Sequence, residues 1–130
     1  MRNKYNARKT VIDGHTFDSR READRYCQLR LLERAGEIHG LELQKEFELI
    51  PAQYETFERY GKRGQRLKDG RRCVEKPVVY RADFCYTDNK GRYIVEDVKG
   101  CTKGAAYQVF VIKRKLMRDR YEIEVREVRK

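Results

Sequence analysis

Apolar residues change their spacing several times along this chain, and each change marks an element. Residues 10–17 read as a short hairpin around Asp13-Gly14, a dipeptide favoured in two-residue turns. Ser19 then has the chemistry of a helix N-cap. Glu22, three residues on, completes the capping-box spacing, and the helix runs to about Ala35, where Gly36 stops it. Leu41, Leu43, Lys45, Phe47 and Leu49 alternate with mostly polar neighbours, which predicts a strand over 41–50 with those residues on one side, ended by Pro51. Periodicity fades from 52 to 77. It returns in two strands rich in aromatic and β-branched residues, 78–87 and 92–99, joined around Asn89-Lys90-Gly91. A second helix is expected over roughly 103–120, and alternation over 121–128 closes the chain as a strand. The order is hairpin, α, β, β, β, α, β, an α/β (α+β) chain with no internal repeat and no low-complexity segment.

Length changes this picture little: 130 residues suit one domain with one core. Charge changes it more. Lys and Arg total 31 against 21 Asp and Glu, and a net charge of +10 suits a polyanionic partner, nucleic acid first and an acidic membrane surface second. The first nine residues carry Arg2, Lys4, Arg8 and Lys9 without an acid and read as a flexible basic arm, leaving 10–130 as a single domain. A glycine-bearing basic loop is expected at about 55–77, the most mobile part of the chain. Within 61–77 it holds Lys62, Arg63, Arg66, Lys68, Arg71, Arg72 and Lys76 against Asp69 and Glu75, a net +5. The second helix carries another +5, with Arg114 and Lys115 among its cations.

No apolar run approaches the roughly 18 residues of a membrane span, and the N-terminus lacks the apolar centre of a signal peptide, so a cytosolic location and no membrane partner are expected. Cys27, Cys73, Cys85 and Cys101 show neither Cys-x-x-Cys pairing nor histidines at zinc spacing, since His15 and His39 are the only ones; free, partly buried thiols follow.

The chemistry concentrates in two short strings, Arg81-Ala-Asp-Phe84 and Val95-Glu-Asp-Val-Lys-Gly100. If Asn89-Lys90-Gly91 is a three-residue hairpin loop with Gly91 left-handed, Asp88 pairs with Arg92 and Asp83 sits opposite Asp97, with Lys99 on the same face. Two carboxylates about 4 Å apart repel by about 4 kcal/mol at an effective dielectric of 20, so something must compensate. A divalent cation does so, and hard oxygen ligands without Cys or His point to magnesium, with manganese as a substitute. Asp83 and Asp97 are the candidate ligands, with the Val98 backbone carbonyl beside them. Lys99 is placed to orient a water or steady developing charge, which suits phosphodiester hydrolysis without a protein nucleophile. A one-residue slip brings Glu96 to that face as the alternative ligand.

At these residues the chain resembles the PD-(D/E)XK, or restriction-endonuclease-like, superfamily, which has an Asp on one strand and an acid-x-Lys on the next, here Asp83 and Asp97-Val98-Lys99. More narrowly it resembles small phage and prophage proteins of that superfamily through Phe17-Asp-Ser-Arg-Arg-Glu-Ala23, Leu41-Glu-Leu-Gln44, Ala82-Asp-Phe84 and Glu96-Asp-Val-Lys-Gly100; Ala82 stands where the superfamily name has Pro. The resemblance spans about 19–128. It implies an αβββαβ core, a central mixed sheet flanked by helices, and a metal-dependent endonuclease acting on DNA, with junctions or branched DNA among relatives' substrates and a homodimer common among them. It also implies a third acid on the first helix, which maps to Glu22, a residue the capping box explains equally well. Gln44 fits either a hydrogen bond near the site or an ordinary edge-strand position, and Lys113 either a cleft or a snorkelling role on its helix. The basic segments, with Lys62, Arg63, Arg66, Lys68, Arg71, Arg72, Arg114 and Lys115, supply positive walls for a polyanion.

Overall fold

A computed structural model describes residues 9–129, so all but Lys9 of the predicted basic arm lies outside the described residues. The elements follow as β1 (Thr10–Ile12), β2 (His15–Phe17), α1 (Arg20–Arg34), β3 (Ile38–Ile50), β4 (Gln53–Tyr60), β5 (Arg66–Glu75), β6 (Val78–Asp88), β7 (Tyr93–Val98), α2 (Ala105–Tyr121) and β8 (Arg126–Val128). Local chemistry sets most boundaries. Asp13 and Gly14 both take positive φ, 51° and 79°, as a tight two-residue hairpin turn requires. Ser19 caps α1 by accepting a hydrogen bond from the Glu22 N–H, and Gly36 ends it at φ 79°.

The central sheet has strand order β3-β6-β7-β8. β3, β6 and β7 pair antiparallel, whereas β8 returns through α2 to pair parallel with β7, giving a mixed sheet. Its two faces are closed by different helices. Ala23, Tyr26 and Leu29 of α1 pack with Phe17, Ile38, Phe84 and Tyr86, and Phe110 and Met117 of α2 pack with Phe47, Leu49, Tyr80, Ala82 and Val95. Alternation along β7 confirms the two faces: Ile94 and Val98 go to the α1 side and Val95 to the α2 side.

Three expectations are corrected. The basic loop expected at about 55–77 is an ordered two-stranded ribbon, β4–β5, which forms a sheet of its own. Alternation along β3 does not keep one face: Leu41 and Leu43 pack towards α1 and Phe47 and Leu49 towards α2, because Gln44 between them has φ 54°. The last strand shrinks to Arg126–Val128, since α2 runs to Tyr121 and Glu122 caps it at φ 57°. All four cysteines are free, with Cys85 alone buried. Among the described residues no helix is long and apolar enough to cross a membrane.

Candidate active site

Register brings the acids together. Phe84↔Glu96, Cys85↔Val95, Tyr86↔Ile94 and Thr87↔Tyr93 keep one offset, closed where Asp88 N–H donates to Arg92 O at 2.9 Å with Gly91 at φ 80°. Asp88 Oδ1 fixes that turn by accepting from the Lys90 and Arg92 N–H groups, both at 2.9 Å. Just beyond the last pair of that ladder, the Asp83 and Asp97 side chains come within hydrogen-bonding reach of each other. The turn chemistry of Asn89-Lys90-Gly91 therefore sets the position of the acids.

Both carboxylates are buried, Asp83 at 9% and Asp97 at 7% exposure. Asp83 Oδ2 accepts from the Val98 N–H at 2.8 Å, and its Oδ1 accepts from Gln44 Nε2 at 3.2 Å. The positive φ of Gln44 marks the point where β3 and β6 both turn their side chains from one sheet face to the other, and it aims this amide at Asp83. Asp97 Oδ2 accepts from the Tyr80 hydroxyl at 2.9 Å and lies 3.3 Å from Lys99 Nζ. Lys99 is itself seated over the Phe110 ring, 3.8 Å from its centroid, so its ammonium is held between a carboxylate and an aromatic face.

The electrostatic cost of this pair is visible. Burial, then the hydrogen bond and charge of Asp97, push the Asp83 carboxyl up to about 8, which favours its protonated form at neutral pH. That proton offsets the repulsion expected between opposed carboxylates. Burial and the Asp97 charge hold Tyr80 well above the ordinary phenol range, keeping it a neutral donor. Glu22 is half-buried, and burial, then the charges of Asp18 and Asp97, raise its carboxyl against the opposing pull of Lys99. Its N–H donates to the Ser19 hydroxyl that caps α1, while its carboxylate feels the charges of Asp97 and Lys99.

Among the described residues no three His, Cys, Asp or Glu side chains converge as a metal-binding group. The fit to a hard divalent cation rests on the two buried carboxylates of Asp83 and Asp97, hard oxygen donors whose mutual repulsion a cation would offset.

Other expected residues are placed differently. Val98 presents its N–H to Asp83 at 2.8 Å, a donor role not included in the expectation from sequence, which concerned only its carbonyl. Glu96 points to the opposite face, fully buried, where Arg25 Nε and Nη2 donate to its two oxygens at 2.8 and 2.7 Å and the Tyr86 hydroxyl donates as well. Because alternation along β7 stays regular, Glu96 cannot serve as the alternative ligand. Lys113 is half-buried on α2 and among the described residues is bonded to none of the acids. Arg114 is taken up by Glu127 at 3.1 Å, whereas Lys115 is exposed. Arg25, Tyr80 and Tyr86 had no signal in the strings that mark the acids; Arg25 sits three residues after Glu22, one turn along α1, which is the only hint the sequence offers.

Fold and site together define a class: an α+β protein whose mixed four-stranded sheet carries a buried carboxylate pair beside a half-buried lysine. In particular, the chain belongs to the family described as proteins of unknown function, DUF1064, whose model matches residues 2–129. No curated protein and no solved structure matches it.

Proposed function

We propose that this protein is a divalent-metal-dependent DNA endonuclease of the PD-(D/E)XK kind. The observation that carries the reading is the convergence of Asp83, Asp97 and Lys99 from two adjacent hairpin strands. Once the β1–β2 hairpin and the β4–β5 ribbon are set aside, the remaining order α1-β3-β6-β7-α2-β8 supports it, with the first acid on the second strand and Asp-x-Lys on the third.

Asp83 and Asp97 would hold magnesium, or manganese in its place, with Glu22 as the third acid. Bound there, the cation would supply a Lewis acid that lowers the pKa of water and offsets charge on the scissile phosphate. The remaining work belongs to the chain. Gln44 and the Val98 N–H fix the orientation of Asp83, and the Tyr80 hydroxyl fixes Asp97. Lys99 keeps its ammonium beside Asp97, where it orients water or steadies charge on a phosphate oxygen. Hydrolysis adds water across one P–O bond and leaves a phosphate end and a hydroxyl end, with no covalent intermediate on the protein. The +10 net charge draws the polyanion to a centre whose own acids repel it.

A second reading, a non-catalytic DNA-binding module derived from a nuclease, is favoured by the lack of a three-acid convergence among the described residues. Supercoiled plasmid and branched DNA, each incubated with magnesium or with EDTA, separate the two. The nuclease reading expects nicked or cleaved products with magnesium alone. Intact DNA under every condition, with binding retained, leaves the module.

A further inference from the structure

The β4–β5 ribbon has a design the site does not explain. It continues the β3–β6 ladder outward, but the chain's two prolines, Pro51 and Pro77, stand at its base on opposite strands, where neither can donate a ladder hydrogen bond. Beyond them, no residue of β4 is buried and β5 is almost wholly exposed, with Tyr54, Phe57 and Tyr60 all open to solvent. A strand pair without a core should be loose, yet this one is braced by its own side chains. The tip of the Phe57 ring lies against Gly70, where an added Cβ would sit 2.3 Å from the ring, and Arg71 stacks 3.8 Å over Tyr54. At the tip, Gly64 N–H donates to Gly61 O and Gly61 N–H to Gln65 O, both at 2.9 Å, and Gln65 Oε1 takes the Arg63 N–H at 3.1 Å.

Charge is graded along this arm. Residues 59–68 hold Arg59, Lys62, Arg63, Arg66 and Lys68 and no acid, whereas the ribbon's acids, Glu55, Glu58, Asp69 and Glu75, all lie closer to the base. Arg66 is paired with Asp69 at 2.7 Å; Arg59, Lys62, Arg63 and Lys68 form no ion pair among the described residues.

We infer that the ribbon is a preformed arm whose tip enters the major groove of duplex DNA. The inference rests on the DNA reading above and names where the duplex is gripped. A two-stranded ribbon, with strands about 4.8 Å apart and side chains on both faces, fits a major groove about 12 Å wide and not a minor groove of about 6 Å. The unpaired cations at the tip meet the phosphates that line that groove. From Lys68 back along the strands to Asp83 is fifteen residues, at most about 50 Å, so a duplex of about fifteen base pairs reaches from arm to centre.

Binding of a fluorescein-labelled 30-base-pair duplex, read in EDTA so that cleavage plays no part, tests this. The triple variant Lys62→Ala, Arg63→Ala, Lys68→Ala should bind about 10- to 100-fold more weakly at moderate salt, with the slope of log affinity against log salt flatter by about 2.7. Gly70→Val keeps every charge but drives a side chain into Phe57, and should also weaken binding. Guanine N7 methylation, which blocks the major groove, should weaken the wild type, and the minor-groove ligand netropsin should not. Unchanged affinity and slope in the triple variant, indifference to N7 methylation, full binding by Gly70→Val, or a preference for single-stranded RNA or a protein over the duplex would each overturn the inference. Ribbon-dependent binding without magnesium-dependent nicking removes the nuclease reading and leaves this one standing; nicking with ribbon-independent binding does the reverse.

Discussion

Replacing Lys99 by alanine is expected to slow magnesium-dependent DNA cleavage by about 10²- to 10⁴-fold, the range seen when a positioned proton-transfer or charge-stabilising group is removed. The expectation follows from placement. The Lys99 ammonium is held 3.3 Å from Asp97 and 3.8 Å over Phe110, so it is in position before any substrate arrives. Lys99→Met separates charge from packing, because its stem still covers Phe110 while the ammonium is gone. Equal losses in the two variants, in single-turnover cleavage at saturating magnesium, assign the effect to the charge. Cleavage within threefold of wild type in both would show that Lys99 serves only to neutralise Asp97.

Arg25→Ala is expected to produce the largest loss of stability. It strands the fully buried Glu96, whose two oxygens now take two guanidinium hydrogen bonds and one from Tyr86. Removing one partner of a buried pair costs about 3–5 kcal/mol, because the other charge stays without solvent or counterion. For a domain of this size that corresponds to a fall of roughly 10–20 °C in melting temperature. Glu96→Gln placed in the Arg25→Ala background should recover part of it, since a neutral amide can still bond Tyr86. Circular dichroism melts of the three proteins check this; an unchanged melting temperature in Arg25→Ala would mean that Glu96 finds another partner or takes up a proton at little cost.

The sequence carried the register of the site because short-range turn chemistry encodes it. Gly91 must be left-handed, Asp88 must hold the turn, and the offset that places Asp83 against Asp97 follows. Helix α1 was legible for the same reason, through Ser19 and Gly36. The ribbon was not, because alternation signals a strand only when one face is buried and the other is not. With both faces in water, residues 53–75 alternate between nothing that differs, and a stretch of cations and glycines reads as a loop. The turnover of faces at Gln44 was hidden too: an ordinary glutamine gives no sign that its φ will be positive, and the apolar pattern around it continues unbroken. That hidden step brings Gln44 to Asp83, so part of the site was illegible for a structural reason. Arg25 escaped because its partner lies 71 residues away on the buried face of β7, a distance over which spacing carries no information.

Family membership over residues 2–129 places the whole described fold inside one evolutionary unit but adds no activity. The proposed cation is the pivot, and calorimetric titration of manganese into the protein tests it directly. The account expects saturable binding that is lost in Asp83→Ala and in Asp97→Ala and survives in Lys99→Ala. No binding by the wild type, or equal binding when either aspartate is gone, would contradict it.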